Sequence, residues 1–318
     1  MLKSTLKSRF QGGLFGIAIG DALGAAVEFK KPGTFPLVTE FRGGGPFNIP
    51  AGYWTDDTSM ALCLATSLRR KNTFDPLDQI KLYSEWYTDG RFSSTGTCFD
   101  IGITTREAIM QFAATNKSYS SNTDPNAAGN GSLMRLLPIP LVYYKRPYLA
   151  KYYAELSSKV THPTKECLEA CNYFSELICR ACNSAQKEEI CSPIRGKFSK
   201  NIQEIIDGSY KRKQPPTIIG SGYVVKSLEA ALWAFYTTKS YEEAVLKAVN
   251  LGDDSDTTGA ICGQLAGVYY GIDGIPKRWK EAVTQPNLLQ EVANQLLETS
   301  ATIKIPLLDK VKAALAAI

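Results

Sequence analysis

The sequence predicts an all-α fold, and three observations carry that reading. Nearly every long segment repeats its apolar residues with the helical period, strand-like alternation is weak from end to end, and two segments place glycine at every fourth position. In Val224, Leu228, Ala231, Leu232 and Phe235 the i, i+4, i+7, i+8 template is met in full.

Taken in chain order, the first helix covers Phe10 to Phe29 and carries the glycine stripe Gly12, Gly16, Gly20 and Gly24. Asp57 to Arg70 follows an acidic cluster that reads as a helix start, and Leu77 to Tyr87 continues the period. Asp100 to Ala114 opens on an aspartate, and Leu133 to Tyr144 follows a Gly-Asn-Gly-Ser loop. Pro163 to Ala181 sets Cys167 and Cys171 one turn apart in a pattern with Leu168, Phe174, Leu177 and Ile178. Tyr223 to Tyr236, Tyr241 to Asn250 and Leu288 to Leu297 are helical by period, as is Thr257 to Tyr270, part of the second stripe Gly259, Gly263, Gly267 and Gly271.

Glycine and proline mark three long loops: Lys31 to Gly52, Ser118 to Gly131, and Asp207 to Gly222 with Pro215-Pro216. Loops of that length inside a compact domain are usually functional. No linker, low-complexity tract or fixed-period repeat divides the chain. Residues 1–318 therefore read as one domain, with 1–9 as a basic N-terminal extension.

Composition is even, with 44% hydrophobic and 21% charged residues, which is a soluble globular chain with ample core. The net charge is +5, but the basic residues are scattered apart from Lys211-Arg212-Lys213 and the Lys3, Lys7, Arg9 end, so no nucleic-acid partner is expected. The apolar run from Gly12 to Gly20 imitates a secretory signal, yet Asp21 interrupts it and the helical pattern continues through Leu23, Val27 and Phe29. No other segment approaches the roughly 18 uninterrupted apolar residues of a membrane span, and no membrane partner is expected. The eight cysteines, with His162 as the one histidine, read as buried free thiols of a cytoplasmic protein, without disulfide or zinc spacing.

Two acidic clusters carry the chemistry: Trp54-Thr55-Asp56-Asp57-Thr58-Ser59 and Gly252-Asp253-Asp254-Ser255-Asp256-Thr257-Thr258-Gly259. Each sets carboxylates beside a threonine hydroxyl at the start of an apolar helix, the oxygen-only ligand set that hard divalent cations take. Helix capping is the plain alternative for either cluster alone, since an oxygen acceptor and negative charge suit a first turn. One cap needs one oxygen, however, and crowding of like charges is costly without a cation to offset it. The two glycine stripes suggest how the clusters meet: glycine costs about 1 kcal/mol against alanine in a helix, so the stripes mark crowded central helices. If they face each other, Asp21, Glu28 and the Asp254 region converge; the alternative is that each stripe has its own partner.

Six strings then occur in one order: Gly-Asp-Ala-Leu-Gly (20–24) followed by Glu28, Trp-Thr-Asp-Asp-Thr (54–58), Cys-Phe-Asp-Ile-Gly (98–102), Gly-Asn-Gly-Ser-Leu-Met-Arg (129–135), Gly-Tyr-Val-Val (222–225) and Asp-Asp-Ser-Asp-Thr-Thr-Gly (253–259). They resemble the ADP-ribosylglycohydrolases. The resemblance implies a compact single-domain orthogonal helical bundle with a binuclear metal cleft that holds ADP-ribose. It implies two Mg²⁺ or Mn²⁺ ions held by Thr55, Asp56 and Asp57 from one side and Asp254, Asp256 and Thr257 from the other, with Asp253 in a supporting or capping role.

The same resemblance matches Asp100 to the acid that the arginine-specific branch uses near the scissile bond, and Glu28 to the mobile catalytic glutamate of the serine-specific branch. Taken alone, Asp100 also fits a helix cap, and Glu28 a solvated residue. The backbone N–H groups of the loop residues Gly129, Asn130, Gly131 and Ser132 suit a diphosphate or ribose, His162 matches a position near the phosphates or distal ribose, and Tyr223 matches a tyrosine lining the cleft. The implied activity is hydrolysis of the bond between ADP-ribose and arginine on a modified protein partner. A hydrolase of another ADP-ribose linkage and a non-catalytic structural or immunity protein of the same fold are the alternatives. Residues 183–222 match no family string.

Overall fold

The computed structural model describes residues 4–183, 185–307 and 309, so Lys3 of the basic N-terminal segment lies outside it. In chain order the helices are α1 (Leu6–Gly24), α2 (Asp56–Lys71), α3 (Pro76–Asp89), α4 (Ile103–Thr115), α5 (Pro138–Tyr143), α6 (Pro147–Lys159), α7 (Lys165–Cys182), α8 (Lys187–Ile190), α9 (Lys200–Ile206), α10 (Val224–Tyr236), α11 (Tyr241–Val249), α12 (Ser255–Tyr270), α13 (Lys277–Ala282) and α14 (Pro286–Thr302). Among the described residues there is no strand, and the only β-pairing is two isolated antiparallel bridges, Gly44 with Ile49 and Gly129 with Tyr223.

The segments read as helical are helices with shifted ends, with one exception. Leu133 to Leu137 is turn, and α5 begins only at Pro138. Pro138 and Pro140 have no N–H, so the carbonyls one turn upstream lose their helical donors. Gln264 of α12 compensates: its Nε2 donates to the Met134 carbonyl at 2.5 Å, and its Oε1 accepts the Leu137 N–H at 2.9 Å. The period had not singled out α6, whose buried face is Leu149, Ala150, Tyr153 and Ala154, nor α8, α9 and α13, which have 4, 7 and 6 residues and are too short for a periodicity window.

The two glycine stripes face each other. A Cβ built on Gly16 would run into the backbone carbonyl of Gly263, one on Gly20 into that of Gly259, and one on Gly12 into that of Gly267. Helices α1 and α12 thus cross antiparallel with their backbones in contact, an approach that any side chain would block. This brings the C-terminal end of α1, with Asp21, beside the N-terminal end of α12. Leu6–Val27 is long and apolar enough to cross a membrane, and here it is buried from Ser8 to Val27 apart from the half-buried Gln11.

The basic N-terminal segment is shorter than the sequence suggested, because Lys7 and Arg9 belong to α1. Arg9 is buried, and its Nη1 donates to the carbonyls of Ala181 at 2.7 Å and Val268 at 3.3 Å, a cation at the C-terminal ends of α7 and α12. Lys187 does the same for α10, donating to the carbonyls of Phe235 and Thr238 at 2.7 and 2.6 Å. All eight cysteines are free, and all but Cys98 are buried.

Candidate metal centre and cleft

The floor of the site is built by one carboxylate that the sequence placed nearby without giving it a role. Asp21 of α1 is fully buried and accepts four hydrogen bonds from the start of α2: the Thr55 N–H and hydroxyl at 2.8 and 2.9 Å on Oδ1, and the Thr58 N–H and hydroxyl at 3.1 and 2.6 Å on Oδ2. Asp21 therefore caps α2 from another helix. Thr55 holds the N-cap position, but its side chain makes no cap bond, and neither does that of Asp254 at the N-cap of α12. The capping alternative thus fails for both side chains, and Asp56 and Asp57 are free to face inward.

With its proton given to Asp21, the Thr55 hydroxyl keeps its lone pairs on the side of Asp256 Oδ2, 3.4 Å away. Across the gap the Thr257 hydroxyl lies 3.3 Å from Asp57 Oδ1. Two carboxylate triads share Asp256: Asp21, Asp57 and Asp256 form one, and Glu28, Asp100 and Asp256 the other, each with ligand oxygens within 4.8 Å of one another. Asp56 and Asp254 stand outside both triads, on the wall of the same cleft.

Glu28 Oε2, Asp57 Oδ2 and Asp256 Oδ1 are buried with no hydrogen-bond partner. Burial first, and neighbouring carboxylates second, push Asp56, Asp57, Asp100 and Asp256 well above the usual carboxylate range. Glu28 is pushed up to about 8 by burial and then by Asp254 and Asp21. Asp21 rises to about 6, burial outweighing the hydrogen bonds it accepts. Orphaned oxygens among mutually repelling carboxylates are what a cluster of hard divalent cations neutralises, so the donor set fits such ions.

The cleft above this floor has a volume of about 690 Å³, the size of a nucleotide site, and no lysine or arginine is among its described lining residues. Asp100 is half-buried in the left-handed region at φ 56°, two residues ahead of the N-cap Gly102 of α4; it is not a cap, and it points with Glu28 at Asp256. Glu28 sits in a clasped turn: the Phe29 N–H donates to the Asp253 carbonyl and the Asp253 N–H to the Lys30 carbonyl, both at 2.7 Å. Asp253 thus holds the Glu28 turn through its backbone.

Two of the long loops meet at the cleft wall. The Asn130 N–H donates to the Gly222 carbonyl and the Val224 N–H to the Ala128 carbonyl, both at 3.0 Å. Asn130 lines the cleft, and its side-chain amide donates to Asp254 Oδ2 at 2.7 Å and to Ser227 at 2.9 Å and so orients a carboxylate. The Ser132 hydroxyl turns into the core, accepting from Ser158 at 2.8 Å beside Cys171. What the loop does offer a ligand is the backbone N–H groups of Gly131 and Ser132, which donate to nothing among the described residues. His162 packs beneath them, and a Cβ on Gly131 would sit 2.8 Å from its ring, so a larger residue there would have to displace the imidazole.

Tyr223 lines an adjoining cavity of about 690 Å³ that shares Gly129 and Gly222 with the cleft. Its hydroxyl donates to Glu166 at 2.6 Å and accepts from Asn201 at 3.2 Å. Glu166 and Asn201 escaped the sequence reading because neither lies in a recognisable string.

An all-helical fold in which the starts of α2 and α12 aim a carboxylate cluster able to hold metal ions into a nucleotide-sized cleft defines the class of this protein. The chain belongs to the ADP-ribosylglycohydrolase family, whose profile it matches over residues 2–304. It is 39% identical over 296 residues to the ADP-ribosylarginine hydrolase Tri1 of Pseudomonas putida, covering 93% of this chain and 79% of that one. It is 29% identical over 286 residues to the glycohydrolase of ADP-ribosyl dinitrogen reductase from Rhodospirillum rubrum, covering 88% of this chain and 91% of that one. A solved structure described as an ADP-ribosylglycohydrolase-related protein complex superposes with a TM-score of 0.84 at 40% identity, covering 94% of this chain and 100% of that chain.

Proposed function

We propose that this protein removes ADP-ribose from arginine side chains of modified proteins, a metal-dependent hydrolysis that reverses mono-ADP-ribosylation in the cytoplasm. The observation that carries the metal requirement is the set of three buried, partnerless oxygens on Glu28, Asp57 and Asp256. The arginine linkage is supported by the two ADP-ribosylarginine hydrolases at 39% identity and by Asp100 on the cleft wall.

In this reading Thr55, Asp56 and Asp57 of the α2 start and Asp254, Asp256 and Thr257 of the α12 start hold two Mg²⁺ or Mn²⁺ ions. Such ions lower the pKa of water and orient ribose hydroxyls. Asp21 fixes the α2 start against α1, and Asn130 fixes Asp254, so the oxygens are set before the ligand arrives. The free N–H groups of Gly131 and Ser132 take the diphosphate. Asp100 pairs with the guanidinium of the modified arginine, a planar fork that suits a carboxylate. Hydrolysis breaks the bond from C1″ of the ribose to the guanidinium nitrogen, forms one from C1″ to a water oxygen, and leaves a proton on the arginine. Nearby carboxylates favour the positive charge that develops at C1″.

The test is release of ADP-ribose from an arginine-modified and, in parallel, a serine-modified protein, each with Mg²⁺, with Mn²⁺ and with EDTA. Metal-dependent release from arginine alone is expected. Release from serine alone would move the catalytic role to Glu28, which lines the cleft beside Asp100 and Asp256. Silence on both substrates, with ADP-ribose still bound, would make the protein non-catalytic.

A further inference from the structure

Arg135 closes the Gly-Asn-Gly-Ser-Leu-Met-Arg string, and its side chain lies wholly inside the protein. No carboxylate pairs with it among the described residues. Its Nη2 donates to Thr161 Oγ1 at 2.6 Å, its Nη1 lies 3.9 Å from Met60 Sδ, and the guanidinium sits 4.6 Å from the centre of the Tyr83 ring. A buried charge without a counter-ion is costly, so its presence here calls for a physical account.

The account begins with a proton. A guanidinium only donates, so the Thr161 hydroxyl accepts from Arg135 and must place its own hydrogen elsewhere. Its other described hydrogen-bond neighbour is His162 Nδ1 at 2.7 Å. Nδ1 therefore accepts, and the imidazole proton resides on Nε2. That nitrogen lies under the loop with the free N–H groups: a Cβ on Gly131 would stand 3.1 Å from it and one on Gly129 3.4 Å. Among the described residues Nε2 has no protein acceptor, and His162 lines the cleft, whose described lining includes no lysine or arginine.

We propose that Arg135, acting through Thr161, holds His162 as the Nε2–H tautomer, so that the imidazole presents a fixed N–H to the diphosphate of the bound nucleotide. The diphosphate part rests on the function proposed above; the tautomer does not. Burial and Arg135 also push the imidazole pKa down to about 3, so the ring donates while neutral at working pH. Arg135 and Thr161 are positioning residues: neither lines the cleft.

The chain has one histidine, so the imidazole region of a ¹⁵N spectrum reports this residue alone. In the free wild-type protein Nε2 is expected as the protonated nitrogen and Nδ1 as the bare one, and ADP-ribose is expected to shift Nε2 the more. Thr161→Val removes the hydroxyl and is expected to abolish the tautomer preference and weaken ADP-ribose binding about tenfold, one hydrogen bond's worth. Thr161→Ser restores both, which a purely structural role for the residue would not do. Arg135→Met is expected to resemble Thr161→Val; should it fail to fold, the Thr161 pair and the wild-type spectrum still decide. An Nδ1–H tautomer in the wild type, or unchanged tautomer and affinity in Thr161→Val, overturns the relay. Bound ADP-ribose that moves neither nitrogen overturns the donor role. A protein that binds no ADP-ribose overturns the ligand reading instead, and its tautomer still tests the relay.

Discussion

The side-chain amide of Asn130 donates to Asp254 Oδ2 at 2.7 Å across 124 residues of sequence, and a second hydrogen bond from the same nitrogen to Ser227 fixes its direction. Asp254 is thus aimed by a neutral group that adds no charge to the cluster. Asn130→Ala is expected to weaken Mn²⁺ binding about ten- to a hundredfold, the usual effect of removing a group that orients a ligand. Calorimetric titration checks it, and an unchanged affinity would return Asn130 to a role in contacting substrate.

Asp256 belongs to both carboxylate triads and keeps one buried oxygen without a partner. Asp256→Asn is expected to lower turnover by more than about a hundredfold and to weaken metal binding with it. The metal-free protein is expected to become more stable at and above neutral pH, because an amide replaces a buried carboxyl that folding forces either to hold a proton or to carry a repelled charge. Activity and EDTA-state thermal melts are the two readouts; a variant less stable than wild type in EDTA would contradict the electrostatic account.

Stability without metal should fall as pH rises. Glu28 and Asp21 have folded-state pKa values of about 8 and about 6, against ordinary values of 4.5 and 3.8. Raised values mean that the folded protein holds protons the unfolded chain has released, so this contribution is present below about pH 4 and lost as pH climbs through 8. Divalent cations replace those protons, and melts at saturating Mg²⁺ should be nearly flat from pH 5 to 8. A metal-free protein that gains stability over the same interval would refute this.

Asp100→Asn keeps the shape of the side chain and removes its charge. Turnover of an arginine-linked substrate should drop roughly a hundredfold, the scale of losing one charge-stabilising group, while Mn²⁺ affinity stays close to wild type. Loss of metal with activity would instead make Asp100 a ligand through its triad with Glu28 and Asp256.

A Cβ on Gly16 has no room, since the Gly263 backbone carbonyl occupies its place. Gly16→Ala should cost about 1–3 kcal/mol in denaturant unfolding despite the better helix propensity of alanine. Activity should fall too, because the crossing of α1 and α12 sets Asp21 against the α2 start. A stabilised Gly16→Ala protein would show that the two helices are not in backbone contact.

Much of this was open to reading along the chain. The period in Val224 to Phe235, the glycine stripes and the two acidic clusters are local patterns, so helix positions and the wealth of carboxylates followed from sequence alone. The start of α5 did not, because what replaces the hydrogen bonds lost at Pro138 and Pro140 is Gln264, which no local window contains.

Which oxygens face the cleft was settled by tertiary structure. Asp21, 34 residues before Thr55, takes over the cap of α2 and so frees the clusters for the cleft. Ser132, next to Gly131 in sequence, turns inward to Ser158, while Asn130 on the other side of Gly131 turns to Asp254. A residue's chemistry is written in its own side chain, but its direction is set by whatever partner packing brings within about 3 Å, the reach of one hydrogen bond. The sequence by itself therefore determined most of the longer helices and the family, and the tertiary contacts decided which acids converge, which hydroxyls are consumed and which oxygens are left for a cation.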